Sequence, residues 1–572
     1  MTPTRNLVAP PMRVSMNGGP GRAALLTLDA GPGESPLFGD QPGLPIEVVV
    51  DGHVFSSESF VATELTAIGD ALVGTYAVHE ELLVRLAWTR EESGALGLQI
   101  QLRGPHRIVP VAAKVKLRLG LSKPWKVLDQ PRTSGGRPLV RSISYPLPTA
   151  IVGRRRGISL MCIYAAGNPL SSNEETSTWQ PMMDSFRVRL SSDWADACQL
   201  VFRDCEPTWL GAFLAFRAEV RSRLDLTQYA RVEQAWLRDQ WLQHFAFLYG
   251  AEAFDHRHQR LDSDHLLGEG QEYGHYDSTL VWPGYPRLGV DERSQWDFFD
   301  DLPGGRDGLR SFIRACRDRG VRVFVPYLPW DSLQHGFHGI PSEGLGELAK
   351  LVADVRPDGV FLDTIAGVPT EFRHALDEVD PGIVFCSEED PGQWDIETVT
   401  SSWDQAEHSY SAEIDLLRFL FPEHRRYVVS RYAVGRHREQ VIDRALFNGS
   451  GLVVWQDIFG EVLPYLDGEI ARVGRVKQLL SSCHAFYGGD ALPLVPTANP
   501  DCFANAFIDA DGRAVVTVCN DGDATADGEL VAWSPDEHIH WYRSGPEEGA
   551  RSDRPLGPLA PGEVAVFVSE RT

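Results

Sequence analysis

Positive charge is in short supply in this 572-residue chain: 54 Lys and Arg stand against 79 Asp and Glu, for a formal net charge of −25. A nucleic-acid binder concentrates Lys and Arg, because phosphate neutralisation supplies most of its affinity. The one basic run, Arg154-Arg155-Arg156, reads as a solvated loop, so polyanions are excluded as partners. Cysteine is also sparse. The eight residues (Cys162, Cys198, Cys205, Cys316, Cys386, Cys483, Cys502, Cys519) are scattered without a CxxC pair, and their apolar surroundings imply reduced, buried thiols instead of a disulfide framework. No window approaches 18 continuous apolar residues, and Met1 to Gly21 lacks the apolar stretch of a signal peptide. The expectation is a soluble, cytoplasmic protein without a membrane partner. Missing as well are a glycine fingerprint after a strand, a phosphate-binding GxxxxGK[ST] loop, a GxSxG elbow and an HExxH pair, which removes the common signatures of nucleotide, serine-hydrolase and zinc-protease chemistry. Asn448-Gly449-Ser450-Gly451 resembles the elbow only loosely. No cofactor is implied.

What is present is length for three or four domains and 15 tryptophans, whose indole faces suit sugar and nucleobase sites but more often fill core. Up to about residue 205, short alternating segments such as Ile46–Val50, Leu72–Val78, Leu96–Leu102 and Phe186–Leu190 predict an antiparallel β-sandwich over 1–205. Pro207 then precedes apolar residues at helical spacing (Phe213, Phe216, Val220, Leu224), predicting a linking helix within 206–234. Over 235–490 strands and helices alternate: Gly308–Arg319 helical, Val321–Tyr327 a strand, Leu345–Val355 helical, Gly359–Asp363 a strand, Glu371–Val379 helical, Gly382–Glu388 a strand. That order and size predict a (β/α)8 barrel. Residues 491–572 return to β periodicity and predict a small terminal β-sandwich.

In such a barrel the active site lies at the C-terminal ends of the strands. Carboxylates stand there after apolar runs: Asp331, Asp363, Glu388 with Glu389 and Asp390, Asp404 after Trp403, and Asp457 after Gln456. A pair of carboxyls facing one crater is what glycoside hydrolysis requires, one attacking or activating water and the other protonating the leaving oxygen. Asp363 and Glu388 lie one strand-helix-strand step apart and are expected to be neighbours on the rim. Asp363, Asp404 and Glu388 are therefore the catalytic candidates. Trp282, Tyr285, Trp330, Asp331, Trp403, Trp455 and Asp457 are the substrate-binding candidates, the aromatics as stacking walls for a sugar. Asp255, His256, His258, Asp262, Asp264 and His265 concentrate metal-ligand types without a ligand motif and read as a charged loop.

The order of sandwich, linking helix, barrel and small sandwich resembles that of the melibiase-like retaining α-glycosidases, and Gly359-Val360-Phe361-Leu362-Asp363 resembles their fourth barrel strand, which ends in the nucleophile. The resemblance implies a retaining glycoside hydrolase with Asp363 as nucleophile. Ser401-Ser402-Trp403-Asp404 is loosely similar to the stretch carrying that group's acid/base, pointing to Asp404, whereas an amylase-like pattern points to Glu388. The chain departs from the group in having Phe361 where a lysine is usual and Glu388-Glu389-Asp390-Pro391-Gly392 in place of a Gly-rich, Arg-containing loop. The implied partner is a carbohydrate or glycoside; sugar, anomer and oligomeric state stay open. The alternatives are a non-catalytic carbohydrate binder on a barrel and a barrel lyase or metal-dependent hydrolase.

Overall fold

The computed structural model describes residues 4–570 apart from 10–11, 18–24, 31–33, 35, 38–45, 51–52, 57–58, 80, 105–111, 118–124, 142–144, 146, 164–185, 191, 288–289, 332–342, 393–394, 406–409, 431–432, 459, 527–537 and 544–557. The chain divides into two compact units, one made of 1–131 and 146–223, the other of 132–145 and 224–572.

The first unit is a β-sandwich. An eight-stranded sheet, a four-stranded sheet and a three-stranded sheet share a core in which Trp88, Leu98, Ile100 and Phe202 meet Met12, Val14, Leu28 and Val48. The strand Leu82–Arg90 alternates buried and half-buried residues along its length, the signature of a sheet with one face inward. The expected helix runs Trp209–Ser222. Thr208 caps it, accepting a hydrogen bond from the Gly211 N–H (2.9 Å), and its apolar face covers the sandwich, so that it belongs to this unit and is not a separate linker.

The second unit contains the closed barrel of eight parallel strands: β1 (Leu242–Phe247), β2 (Ser278–Trp282), β3 (Arg322–Tyr327), β4 (Gly359–Leu362), β5 (Val384–Ser387), β6 (Ser401–Asp404), β7 (Arg425–Val429) and β8 (Gly451–Val454). The barrel closes where Leu242 pairs with Leu452. Its strands are buried on both faces, as parallel strands covered by helices must be, and the interior is filled by Phe245, Leu280, Trp282, Phe324, Phe361, Cys386, Trp403, Tyr427, Val453 and Trp455. Between β5 and β6 the helix Asp395–Glu397 is a single 3-10 turn; elsewhere amphipathic helices such as Gly305–Arg317, Glu343–Val355 and Thr370–Val379 cover the wall. Residues 490–570 supply a five-stranded antiparallel sheet. It is held to the barrel helix α1 (Arg436–Asn448), whose Phe447 carbonyl accepts from both Asn505 Nδ2 (2.9 Å) and Thr517 Oγ1 (2.7 Å).

One stretch departs from the expected boundaries. Residues 132–145 lie within the sequence assigned to the sandwich but pack with the barrel unit, where Val140 and Arg141 pair in parallel with Ile414 and Asp415. No described helix is long and apolar enough to cross a membrane.

Candidate active site

Parity along each barrel strand decides which side chains reach the mouth, because successive residues point to opposite faces. Phe361 faces the interior on β4 and Cys386 on β5. Two residues further on, Asp363 and Glu388 keep that direction. The register Leu362↔Ser387 sets them side by side, and the ladder continues one bond past each strand, with Asp363 N–H donating to the Tyr327 carbonyl (3.1 Å) and Glu388 N–H to that of Leu362 (3.0 Å).

The Glu388 carboxyl lies close enough to Asp363 to raise it. The indole N–H of Trp330 donates to Asp363 Oδ2 (2.6 Å). Glu388 accepts from the Thr364 N–H at Oε2 (2.8 Å) and from the Gln405 side-chain amide at Oε1 (2.8 Å). Thr364 has a left-handed backbone (φ +58°), a strained state for a β-branched residue, and that turn aims its N–H at Glu388. Asp363 is buried, and burial, together with the neighbouring charges of Glu388 and Glu389 and against the Trp330 hydrogen bond, pushes its carboxyl up to about 7. The pair therefore keeps one proton up to near-neutral pH, as expected for two carboxyls that cannot both ionise at contact distance. Tyr285 stacks on Trp330 (centroids 6.5 Å apart, planes within 14°). Both aromatics are half-buried and form a wall beside Asp363.

Asp404 is not part of this group. Trp403 takes the inward position on β6, so Asp404 points out through the barrel wall, where it is fully buried. There Arg444 of α1 donates to its Oδ2 (2.6 Å) and Arg141 to its Oδ1, with Arg426 at 3.8 Å. Burial would raise this carboxyl, but Arg444, Arg141 and Arg426 outweigh it and hold it below the usual carboxylate range. A carboxylate kept ionised and enclosed cannot donate a proton to a glycosidic oxygen, which corrects the expectation of Asp404 as acid/base. Arg426 extends the cluster to Asp415 (2.8 Å) and to Asp390.

Trp282, Trp403 and Trp455 are likewise corrected as stacking walls. They are 2 %, 1 % and 3 % exposed and pack inside the barrel with Phe245 and Phe361, Trp403 lying 4.3 Å from Phe361 and Trp455 4.3 Å from Phe245. Together they floor the site. The Trp403 indole is satisfied by Gln243 Oε1 (2.6 Å). Asp331, also buried, accepts from Arg287 Nε (3.0 Å) and the Gln295 N–H (2.7 Å) and ties the end of β3 to these two residues. Asp457 accepts from the Gly460 N–H (2.7 Å) in a turn after β8. The Asp255 to His265 segment is the charged loop expected of it: Asp255 binds His258 Nδ1 (2.5 Å), and Asp262 caps the helix Ser263–Gly270. Gln405 and Thr364 were missed as site residues. Gln405 has the inward parity of Trp403 on β6, a signal readable once that strand's facing is known.

Sandwich, eight-stranded barrel and C-terminal sheet define a multidomain (β/α)8-barrel fold flanked by β domains. Among solved structures the chain is similar to the α-N-acetylgalactosaminidase NagBb from Bifidobacterium bifidum in complex with GalNAc (TM-score 0.56, 13 % identity, 90 % of this chain and 98 % of that one). It is also similar to the GH36 α-galactosidase AgaA from Geobacillus stearothermophilus in complex with raffinose (TM-score 0.51, 10 % identity, 99 % of this chain and 100 % of that one). At these identities the likeness is one of fold. No protein-family model matches the chain, and no curated protein matches it by sequence.

Proposed function

We propose that the chain is a retaining α-glycoside hydrolase with Asp363 as nucleophile and Glu388 as acid/base. The observation that carries the reading is the Asp363–Glu388 pair set side by side at the mouth of the barrel, with Asp363 raised by its surroundings, beside the Tyr285–Trp330 wall. Glycosyl transfer through a covalent intermediate needs one ionised carboxylate and one proton donor at the same time, and a singly protonated pair is that combination. Asp363 ends the fourth barrel strand, the position of the nucleophile in the group the sequence resembles. Glu388, half-buried and on a longer side chain at the adjacent strand end, protonates the leaving oxygen. A retaining pair works at about 5–5.5 Å, so a sugar entering the site parts the two carboxyls by turning Glu388 away while Trp330 holds Asp363. The neighbours' names make terminal α-galactosides and α-N-acetylgalactosaminides the first substrates to try.

The test is hydrolysis of p-nitrophenyl α-D-galactoside and α-N-acetylgalactosaminide by wild type and by Asp363→Ala and Glu388→Ala. Both variants should lose at least about 10³-fold in kcat, a magnitude set by loss of a nucleophile or an acid/base. Azide should rescue Glu388→Ala to a glycosyl azide of retained configuration and Asp363→Ala to one of inverted configuration. The reverse pattern exchanges the two roles, and full activity in Asp363→Ala removes the assignment. Because the proton of the pair leaves near pH 7, kcat/KM should fall as pH rises through about 7. Asp404→Asn, by contrast, should leave the pH at which activity falls unchanged.

A further inference from the structure

On the outer face of β1 the parity that buries Phe245 in the barrel turns His244 the other way. His244 is fully buried, and neither ring nitrogen has a hydrogen-bond partner. Its ring lies flat on Tyr276 (centroids 4.4 Å, planes within 6°), whose hydroxyl is also buried without a partner. His244 Nε2 sits 3.4 Å from Glu252 Oε2. Glu269, from the helix Ser263–Gly270, completes a triad in which one ligand-type atom from each residue lies within 4.8 Å of the others. Gln456 Nε2 holds Glu269 by its Oε1 (2.5 Å).

This arrangement is unfavourable by itself. A buried imidazole with both nitrogens unpartnered forfeits hydrogen bonds worth about 1–3 kcal/mol each. Two half-buried carboxylates facing each other beside it repel, and Asp457 adds to the negative field. A cation would answer all three. The 3.4 Å between Nε2 and Oε2 is the edge of a tetrahedron with bonds of about 2.1 Å, the length of zinc–nitrogen and zinc–oxygen bonds.

We infer that His244, Glu252 and Glu269 form a binding site for one divalent transition-metal cation, Zn2+ or Mn2+. The imidazole selects against Ca2+ and Mg2+, which take oxygen ligands. The three ligands come from β1, from the loop after it and from the helix leading towards β2, so the metal braces the first crossover of the barrel. The site lies on the outside of β1, whereas Asp363 and Glu388 end β4 and β5 inside the mouth, and the inference does not depend on the proposed reaction.

The test uses the full chain, stripped with chelator and titrated with Zn2+, Mn2+ or Ca2+ by calorimetry, with melting followed in parallel. Zn2+ or Mn2+ should bind at one equivalent and raise the melting midpoint by several degrees, whereas Ca2+ should do neither. Glu252→Gln and Glu269→Gln, which keep side-chain volume, should weaken binding at least tenfold and abolish the thermal shift. In chelator they should melt no lower than wild type, because they remove a repulsion. His258→Ala, in the exposed loop, should change nothing. The inference is overturned if the stripped chain binds neither transition metal, if Ca2+ binds as well as they do, or if the two Gln variants bind like wild type.

Discussion

Asp363 and Asp404 are both aspartates that end barrel strands behind an aromatic or apolar run, yet their surroundings oppose each other. Asp363 holds a proton in the folded chain up to about pH 7 that an unfolded aspartate loses near pH 3.9. Its folded value is raised, so the unfolded state is favoured increasingly as pH climbs from about 4 to about 7, and the cost is constant above that; a shift of this size is worth up to ~4 kcal/mol. Asp363→Asn keeps the acceptor for Trp330 and supplies a donor to Glu388 in place of the proton. It should abolish turnover, melt above wild type at pH 8 and melt with it near pH 4; a lower midpoint at pH 8 would mean that the Asp363 carboxyl is not raised by its surroundings. Asp404→Asn should do the opposite. It leaves Arg444 and Arg141 facing a neutral amide in the wall, and breaking a buried pair costs about 3–5 kcal/mol, readable as a fall in denaturation midpoint at pH 7. Thr364 belongs to the same economy of strain: its left-handed turn is tolerated because its N–H serves Glu388, and Thr364→Gly should raise stability by about 1 kcal/mol in chemical denaturation.

At the scale of elements, much of the architecture was legible. The period-two runs of the sandwich, Pro207 before a helix and the strand–helix alternation from Arg322 to Ser387 predict elements that match the observed ones to within a few residues, as with Gly359–Leu362 and Thr370–Val379. The expectation that Asp363 and Glu388 lie next to each other on the rim agrees with the register of β4 and β5, because one crossover separates adjacent parallel strands. What stayed hidden was facing. In Ser401–Asp404 all four residues are buried, so hydrophobic pattern could not say whether Trp403 or Asp404 pointed inward; with helices outside and side chains inside, a parallel strand is buried on both sides. For the same reason Trp282, Trp403 and Trp455 read as open walls when they are interior packing. His244, set among Leu242, Phe245 and Phe247, gave no local sign of its outward partners, since Glu252 and Glu269 meet it only after the chain has crossed towards β2. The stretch 132–145 opens on the turn cluster Thr133-Ser134-Gly135-Gly136-Arg137-Pro138 and is bounded by Pro131 and Pro146, which read as one more turn between sandwich strands and gave no sign that the segment joins the barrel.

At the scale of the whole molecule, that stretch makes the barrel unit discontinuous in sequence. It contributes the two-residue strand Val140–Arg141 beside Ile414 and Asp415, the Arg141 guanidinium on Asp404, Tyr145 against Phe421 (centroids 5.8 Å) with its hydroxyl donating to the Gly392 carbonyl (3.1 Å), and Arg137 on Asp521 of the C-terminal sheet (2.7 Å). Asp404 in particular keeps its charge inside the wall only because cations surround it. A fragment of residues 224–572 contains every barrel strand and the C-terminal sheet but lacks all four of these contributions. It should therefore be insoluble or melt well below the full chain. Arg141→Met in the full chain isolates the electrostatic part: it leaves one buried carboxylate oxygen without its guanidinium, and the loss should be of the order of the about 3–5 kcal/mol of a broken buried pair. Melting of the two proteins by circular dichroism decides the point. A 224–572 fragment as stable as the full chain would show that the barrel unit is complete without the segment borrowed from the sandwich sequence, and that Arg444 and Arg426 are sufficient to hold Asp404.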